Sequence, residues 1–346
     1  MRMIEYSKAI NEALDQTMKK DQKVIIVGLG VDDPKGVFGT TKNLDKNFKD
    51  RIFDLPTAEN GFTGFSLGLA ISGYKPVMVH QRVEFSLLAF DQIVNQISKW
   101  YYMSGGKVNV PIVIRLIIGK GWGQGPQHSQ SLEALFAHIP GLKVIAPSNA
   151  EDAKGMLISS INDPDPVVFF EHRWLHSTLG NVNKKYFQKN INKAKIINKG
   201  DDITIISFSY ALIECLKALK FLKKNKINFD LIDLRSLRPI DFRTIIKSAS
   251  KTKKVLIVDN GMVFNGVSSE ISATINEEIK EKIKIKRIGV IQSPIPSTIS
   301  LAKYCYPDDN QIIQEVLKIL NLKKKKVKQK KDFKPDQPDK NFLGPF

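Results

Sequence analysis

PVMVHQRVEFSLLAFDQIVNQISKWYYMSGGKVNVPIVIRL, residues 76–116, decides the fold. Pro76–His80 and Pro111–Leu116 are short, continuously apolar runs, and Phe85–Met103 between them reads as an amphipathic helix. Strands without polar alternation, joined through a helix, indicate a parallel sheet covered on both faces. The pattern extends outward. Lys23–Gly28 (KVIIVG), Leu142–Ala146 (LKVIA) and Pro166–Glu171 (PVVFFE) read as further buried strands, with helices at Tyr6–Lys20, Gly61–Ser72 and Asn149–Asn162. After a Lys/Asn-rich stretch the alternation restarts. Strands are expected at Ile203–Phe208, Phe229–Leu234, Val255–Asp259 and Lys286–Val290. Helices are expected at Ala211–Lys223, Asp241–Ser250, Val267–Glu278 and Asn310–Leu320. The expected fold is α/β with two domains, 1–180 and 201–322, each a mostly parallel sheet covered by helices. Residues 181–200 read as a basic linker and 323–346 as a basic tail.

A net charge of +18 over 346 residues first raises nucleic acid as a partner. Its distribution argues against that. Residues 323–334 hold eight Lys and one Asp, and residues 181–200 hold six Lys and no acid, which leaves +5 for the other 314 residues. Blocks of like charge in connections and tails are usually solvated. The two cysteines, Cys215 and Cys305, fit a reducing compartment. No apolar run approaches the ~18 residues of a membrane span. The N-terminal MRMIEYSKAINEALDQTMKK lacks the apolar core and cleavage site of a signal peptide. A cytoplasmic protein without membrane association is expected.

Familiar nucleotide fingerprints are absent. Gly28-Leu29-Gly30 follows a strand, but Asp33 stands where G-x-G-x-x-G needs its third glycine, and Gly106-Lys107 is followed by Val108 rather than Ser or Thr. His172 and His176 have metal-like spacing without H-E-x-x-H or a nearby cysteine, so strand-end polarity is the plainer reading. No G-x-S-x-G elbow occurs.

Three segments of the first domain carry candidate chemistry. Asp54–Ala70 (DLPTAENGFTGFSLGLA) delivers Glu59 beside Gly61, Gly64 and Gly68, whose missing side chains permit close approach of a neighbour or ligand. A carboxylate there is also what a helix N-terminus favours. Val79–Asn95 carries Phe85 and Phe90, aromatics whose ordinary fate is core packing. Gly119–Gln130 (GKGWGQGPQHSQ) is a loop poor at packing but able to wrap a ligand, and His128 within it is an acid/base candidate.

Together these segments resemble the beta subunit of the thiamine-diphosphate-dependent 2-oxo acid dehydrogenase decarboxylating component, of pyruvate dehydrogenase type. The resemblance runs from Tyr6 to about residue 320. It is carried by TAENGFTG (57–64), EFSLLAFDQIVNQISKWYYMSGG (84–106), PQHSQSLEA (126–134), HIPGLKVIAPSNAEDAKG (138–155) and DLRSLRPID (233–241). The wider family includes transketolase, so the resemblance implies a pyrimidine-binding domain followed by a transketolase C-terminal-like domain.

The resemblance assigns three residues. Glu59 matches the glutamate that hydrogen-bonds the cofactor's pyrimidine nitrogen, favouring the imino tautomer that removes the thiazolium C2 proton. Phe85 matches the aromatic that stacks on the pyrimidine. His128 matches the active-site histidine near substrate and acyl acceptor. The G-D-G and N-N motifs that hold the diphosphate and Mg²⁺ in this family are absent. Gly200-Asp201-Asp202 leads into an ordinary strand, and Asp259-Asn260-Gly261 has no such sequel. The resemblance therefore implies an alpha subunit that carries G-D-G and N-N, in an assembly of two alpha and two beta chains. A lipoyl-bearing acyltransferase is the partner expected downstream. Leu29 after the first strand and His80–Glu84 depart from the family's usual pattern. The alternative reading is the C-terminal half of a split transketolase, with Arg82 and Arg115 as possible phosphate ligands. A third is a non-catalytic scaffold using the basic tail.

Overall fold

The structure is a computed structural model that describes residues 1–325 and 337–338. The expected tail, 323–346, lies outside the described residues except for Lys323–Lys325, Gln337 and Pro338. The chain forms two compact units. One comprises residues 1–119 and 135–191; the other comprises Lys120–Ala134 and the chain from Asn192 onward.

The first unit contains β1 (Arg2–Glu5), α1 (Tyr6–Lys20), β2 (Val24–Gly28), β3 (Ile52–Asp54), α2 (Glu59–Ile71) and β4 (Lys75–His80). It continues with β5 (Val113–Ile118), β6 (Lys143–Ile145), α3 (Ala150–Ile161), β7 (Val167–His172) and β8 (Leu179–Val182). Six strands pair in the order β6-β7-β5-β4-β2-β3, all parallel. β1 and β8 form a separate antiparallel ribbon. β2 and β5 are buried along their whole length, which is why their sequences show no alternation. β5 begins at Val113 rather than Pro111, since proline has no N–H for the ladder. α1 buries Tyr6, Ala9, Ile10, Ala13, Leu14 and Met18, a stripe at helical spacing. α3 starts where Asn149 caps it, its side chain accepting from the Asp152 N–H at 2.9 Å.

The expected helix Phe85–Met103 is not continuous. Val83–Ala89 is a 3₁₀ turn and Gln92–Ile97 is π-helical, leaving Trp100–Met103 as α-helix. The Ser98 N–H reaches the Ile93 carbonyl, five residues back. Hydroxyls compete for the ladder, Ser86 donating to the Val83 carbonyl at 2.6 Å and Ser98 to that of Val94 at 2.7 Å. The widened turn also lies against Gly141, where a Cβ would collide with the Ser98 carbonyl oxygen. Tertiary contact overrides local propensity here.

The second unit contains β9 (Lys195–Asn198), β10 (Ile203–Ser207), α4 (Ser209–Lys224), β11 (Phe229–Asp233) and α5 (Phe242–Thr252). β12 (Lys254–Met262), α6 (Val267–Glu278), β13 (Lys284–Val290) and α7 (Asp309–Ile319) follow. The order is β13-β12-β10-β11-β9, parallel except for β9. Asp241 caps α5 rather than beginning it, and α7 starts at Asp309, one residue before the expected Asn310, with Asp308 as its cap. Residues 195–198, expected within a linker, are this antiparallel edge strand. An edge tolerates Lys195 because one side faces no neighbour.

Candidate active site

In the first unit, the chain leaves β2 toward β3 on one side and leaves β4 toward β5 on the other. A crevice at the carboxyl ends of strands, where their order reverses, is the usual ligand position in such sheets. A cleft lies there. Leu29 after β2, Leu55 after β3, Glu59 and Phe62 of α2, His80 at the end of β4, and Phe85 all line it. Its floor rests on Ile25, Val27, Leu55 and Met78, a small apolar cluster with Phe62 and Leu69 packed against it. Gly28 is required where β2 meets β4, because a Cβ would stand 2.5 Å from the Val79 carbonyl oxygen.

Glu59 and Phe85 are thus brought to one cleft. Glu59 is the first residue of α2 and half-buried, so the dipole that favours a carboxylate and the cleft that exposes it act at the same place. Phe85 is half-buried and lines the cleft rather than filling a core. The neighbouring glycines behave differently from expectation. Around Gly61 and Gly68 there is open space, and only Gly64 meets a neighbour, Gln92 at 3.6 Å.

Sequence reasoning did not single out His80 as a site residue. It is buried, with its Nε2 3.4 Å from the Thr63 hydroxyl, and burial pulls its pKa down to about 4. The ring is therefore neutral near pH 7, a polar group that brings no cation to the cleft. The signal was a histidine ending an otherwise apolar strand.

His128 belongs to the second unit and is half-buried at the end of the turn Pro126–His128. Its loop is anchored at both ends. The Lys120 ammonium lies 4.2 Å from the Tyr306 ring centre and 5.2 Å from that of Tyr210. At the other end the Asn260 amide donates to Glu133 at 2.7 Å. Burial pushes the Glu133 carboxyl up to about 7, the Asn260 bond opposing and the Asp259 charge adding to it. Between the anchors, Gly125 has a left-handed φ of 68°, and a Cβ there would meet the Ser297 hydroxyl at 2.5 Å.

The remaining candidates are engaged elsewhere. Arg115 is fully buried and bidentate to Glu171, at 2.5 and 2.9 Å, so it is no phosphate ligand. His176 Nε2 lies 3.3 Å from the same carboxylate, and His172 Nδ1 accepts from the Trp174 N–H. Among the described residues no three His, Cys, Asp or Glu side chains could hold a metal ion together. Nor is any helix among them long and apolar enough to cross a membrane.

Comparison with known proteins agrees with this architecture. Residues 2–177 match the transketolase pyrimidine binding domain and residues 192–312 the transketolase C-terminal domain. The mitochondrial pyruvate dehydrogenase E1 component subunit beta of Drosophila melanogaster is 39% identical over 323 residues, covering 91% of this chain and 88% of its own. The corresponding subunit of Rickettsia conorii is 35% identical, covering 90% and 97%. The beta subunit of acetoin:2,6-dichlorophenolindophenol oxidoreductase from Cupriavidus necator is 36% identical, covering 90% and 96%. A solved structure titled split gene transketolase, inactive beta4 tetramer, superposes with a TM-score of 0.77 over 93% of this chain and 99% of that one. Its identity is 21%, a likeness of fold. Both domains and nine-tenths of the length being matched in this way, the chain belongs to the pyruvate dehydrogenase E1 beta-subunit family, a thiamine-diphosphate-dependent family built on transketolase-type domains.

Proposed function

We propose that the chain supplies the pyrimidine-binding, activating half of a thiamine-diphosphate site in a two-chain 2-oxo acid dehydrogenase. The observation that carries this reading is the meeting of Glu59 and Phe85 in one cleft at the switch point of the sheet. One carboxyl group, one aromatic ring and aliphatic walls suit a flat ring that has an acceptor nitrogen and two apolar faces. When bound, thiamine diphosphate supplies a nucleophilic carbon that adds to the substrate carbonyl and takes up the electrons left as carbon dioxide departs. Glu59 holds a proton between its carboxyl oxygen and the ring nitrogen. Phe85, Leu29 and Leu55 keep water from that bond and so strengthen it. His80, neutral, maintains the cleft wall without a competing charge. His128 gives or takes a proton where the acyl group passes to its acceptor.

The diphosphate and Mg²⁺ fall to an alpha subunit carrying G-D-G and N-N, because this chain has neither motif. A second beta subunit completes an alpha2beta2 assembly, and a lipoyl-bearing acyltransferase receives the acyl group. α2 offers a surface for such partners. Gly61, Gly64, Phe65 and Gly68 recur at helical spacing, and Phe65 is 52% exposed. The assembly belongs in the cytoplasm. High identity to E1 beta subunits supports this reading over a split transketolase, which the fold likeness alone does not favour.

The test is Glu59→Gln in the assembled, cofactor-loaded complex. Glutamine keeps the size but cannot exchange the proton, so C2-proton exchange should slow and turnover should fall on the order of 10²-fold or more. Assembly should persist. Exchange at the wild-type rate in that variant would remove Glu59 from the chemistry.

A further inference from the structure

The second unit has a groove of its own, between the edge strand β9 and the helix α5. It measures about 730 Å³, and Lys193, Ile196, Lys199, Arg243, Lys247 and Lys251 are among its walls. That size suits an organic ligand better than a single ion. Arg243, Lys247 and Lys251 recur every fourth residue on the exposed face of α5, whose buried face is Ile245, Ser248, Ala249 and Thr252. At a rise of about 1.5 Å per residue, these cations stand about 6 Å apart along the helix axis. α5 joins β11 to β12, both parallel to β10, so it runs back against them. β9 is antiparallel to β11. Helix and edge strand therefore point the same way, and the cationic row runs alongside β9.

Part of this charge is already matched. Lys251 pairs with Asp230 at 2.9 Å and with Asp201 at 3.2 Å, and Lys193 lies 3.8 Å from Asp241. Asp230 in turn accepts from the Ser248 hydroxyl at 2.5 Å, which fixes the floor of the groove. The side chains of Lys199, Arg243 and Lys247 are exposed and, among the described residues, have no ion pair. β9 ends its sheet, and among the described residues no strand pairs with its outer side. Such an edge presents backbone N–H and C=O groups to an incoming strand. Ile196 is 39% exposed and stands opposite Ile232, on the same face as Asp230 and therefore on the groove side.

We propose that this groove takes an extended acidic segment of another protein, which adds to β9 as a further strand and sets its Asp or Glu side chains against α5. Alternate residues of a strand face the same way about 6.8 Å apart, close to the interval of the cationic row. Main-chain bonds to β9 give affinity, and the cations select the sequence. Ile196 gives the incoming strand an apolar contact among the charges. A second copy of this chain is a poor occupant, because pairing β9 with β9 gathers Lys193, Lys195 and Lys199 from both chains. The lysines that blunt the edge against itself thus leave it open to an acidic strand. A polyphosphate would use the cations alone and leave the ladder edge and Ile196 uncovered. The chemistry assigned to the first unit has no part in this proposal.

The test titrates the full chain with a short capped peptide that alternates Glu and Val. Saturable binding is expected, with slowed hydrogen exchange at the outward amides of Lys195–Asn198. The same peptide N-methylated throughout cannot donate to the ladder and should bind about tenfold more weakly or worse. Reversing two exposed charges together, Arg243→Glu with Lys247→Glu, should also weaken binding about tenfold. Lys199→Glu, on the opposite wall of the groove, should act in the same direction, so the result does not depend on one variant folding. Equal affinity for the alternating peptide, its N-methylated form and a peptide with the Glu and Val in separate blocks would reduce the groove to a non-specific field and overturn the proposal. Tighter binding of inorganic phosphate or of a thymidine oligonucleotide would overturn it in favour of a phosphate ligand. No binding of the alternating peptide would overturn it outright.

Discussion

Two buried glutamates show how far neighbours decide the state of the same side chain. Burial alone would raise both. At Glu171 the Arg115 charge, with bonds from His176 and Arg115, outweighs it and holds the carboxyl at about 2. At Glu133 the partner is only a neutral amide, and the carboxyl rises to about 7. For Glu133 the folded state therefore binds a proton that the unfolded chain has released from about pH 4.5 upward. Its contribution to stability is full below that pH and is lost as pH rises toward 7, on the order of 3 kcal/mol in all. Glu133→Gln retains an acceptor for Asn260 and removes the titration, so thermal melts of the variant should lose this decline between pH 4.5 and 7. A variant with the wild-type pH profile would show that Glu133 does not carry the proton. Neither pairing was legible in the sequence, because Glu133 and Asn260 lie far apart along the chain. His128 is another matter, conspicuous in its glycine loop but without a demonstrated task. If it serves transfer to the acceptor, His128→Ala should slow the complete reaction by about 10²–10⁴-fold. Decarboxylation measured with an artificial electron acceptor should suffer much less. Small, equal losses in both assays would make it a structural residue of the loop.

At the scale of elements, buried strands announced themselves because both their faces are covered and every residue had to be apolar. Lys23–Gly28 and Pro166–Glu171 are found within a residue of where they were expected. Besides the β1–β8 ribbon, β3 and β9 were missed. The first is three residues long with two exposed, and the second is an edge strand carrying polar residues, so neither shows a continuous apolar run. The interruption of 83–103 was equally hidden, since it depends on Gly141, beyond the end of the segment. Gly141 has a φ of 96°, and any side chain there would strike the Ser98 carbonyl. Gly141→Ala should destabilise the protein by about 2–4 kcal/mol, from the backbone conformation and overpacking together. Proteolysis or hydrogen exchange should show the loss first around residues 92–98. Unchanged protection there would mean that the π-helical turn is set by its own sequence.

For the whole molecule, the proposed division of the cofactor site between two chains implies that activity requires assembly. The open glycine-and-phenylalanine face of α2 is where a partner helix can approach closely, and Leu88 and Tyr102, later in the same unit, are 66% and 88% exposed. Phe65→Asp should abolish or severely weaken assembly with the alpha chain in sedimentation, while the circular dichroism spectrum of the variant alone stays native. Loss of the spectrum would place Phe65 in the fold rather than the interface; intact assembly would assign this face another use. The β1–β8 ribbon has a consequence of its own, in the time domain of synthesis. Arg2 pairs with Val182 and Glu5 with Leu179, so β1, once synthesised, waits for nearly the last segment of its unit. At ordinary elongation rates that wait is on the order of 10–40 s. Throughout it β1 presents an unpaired edge to whatever else is in reach. Slow decoding between these strands lengthens the exposure, and a chaperone that shields β1 shortens it.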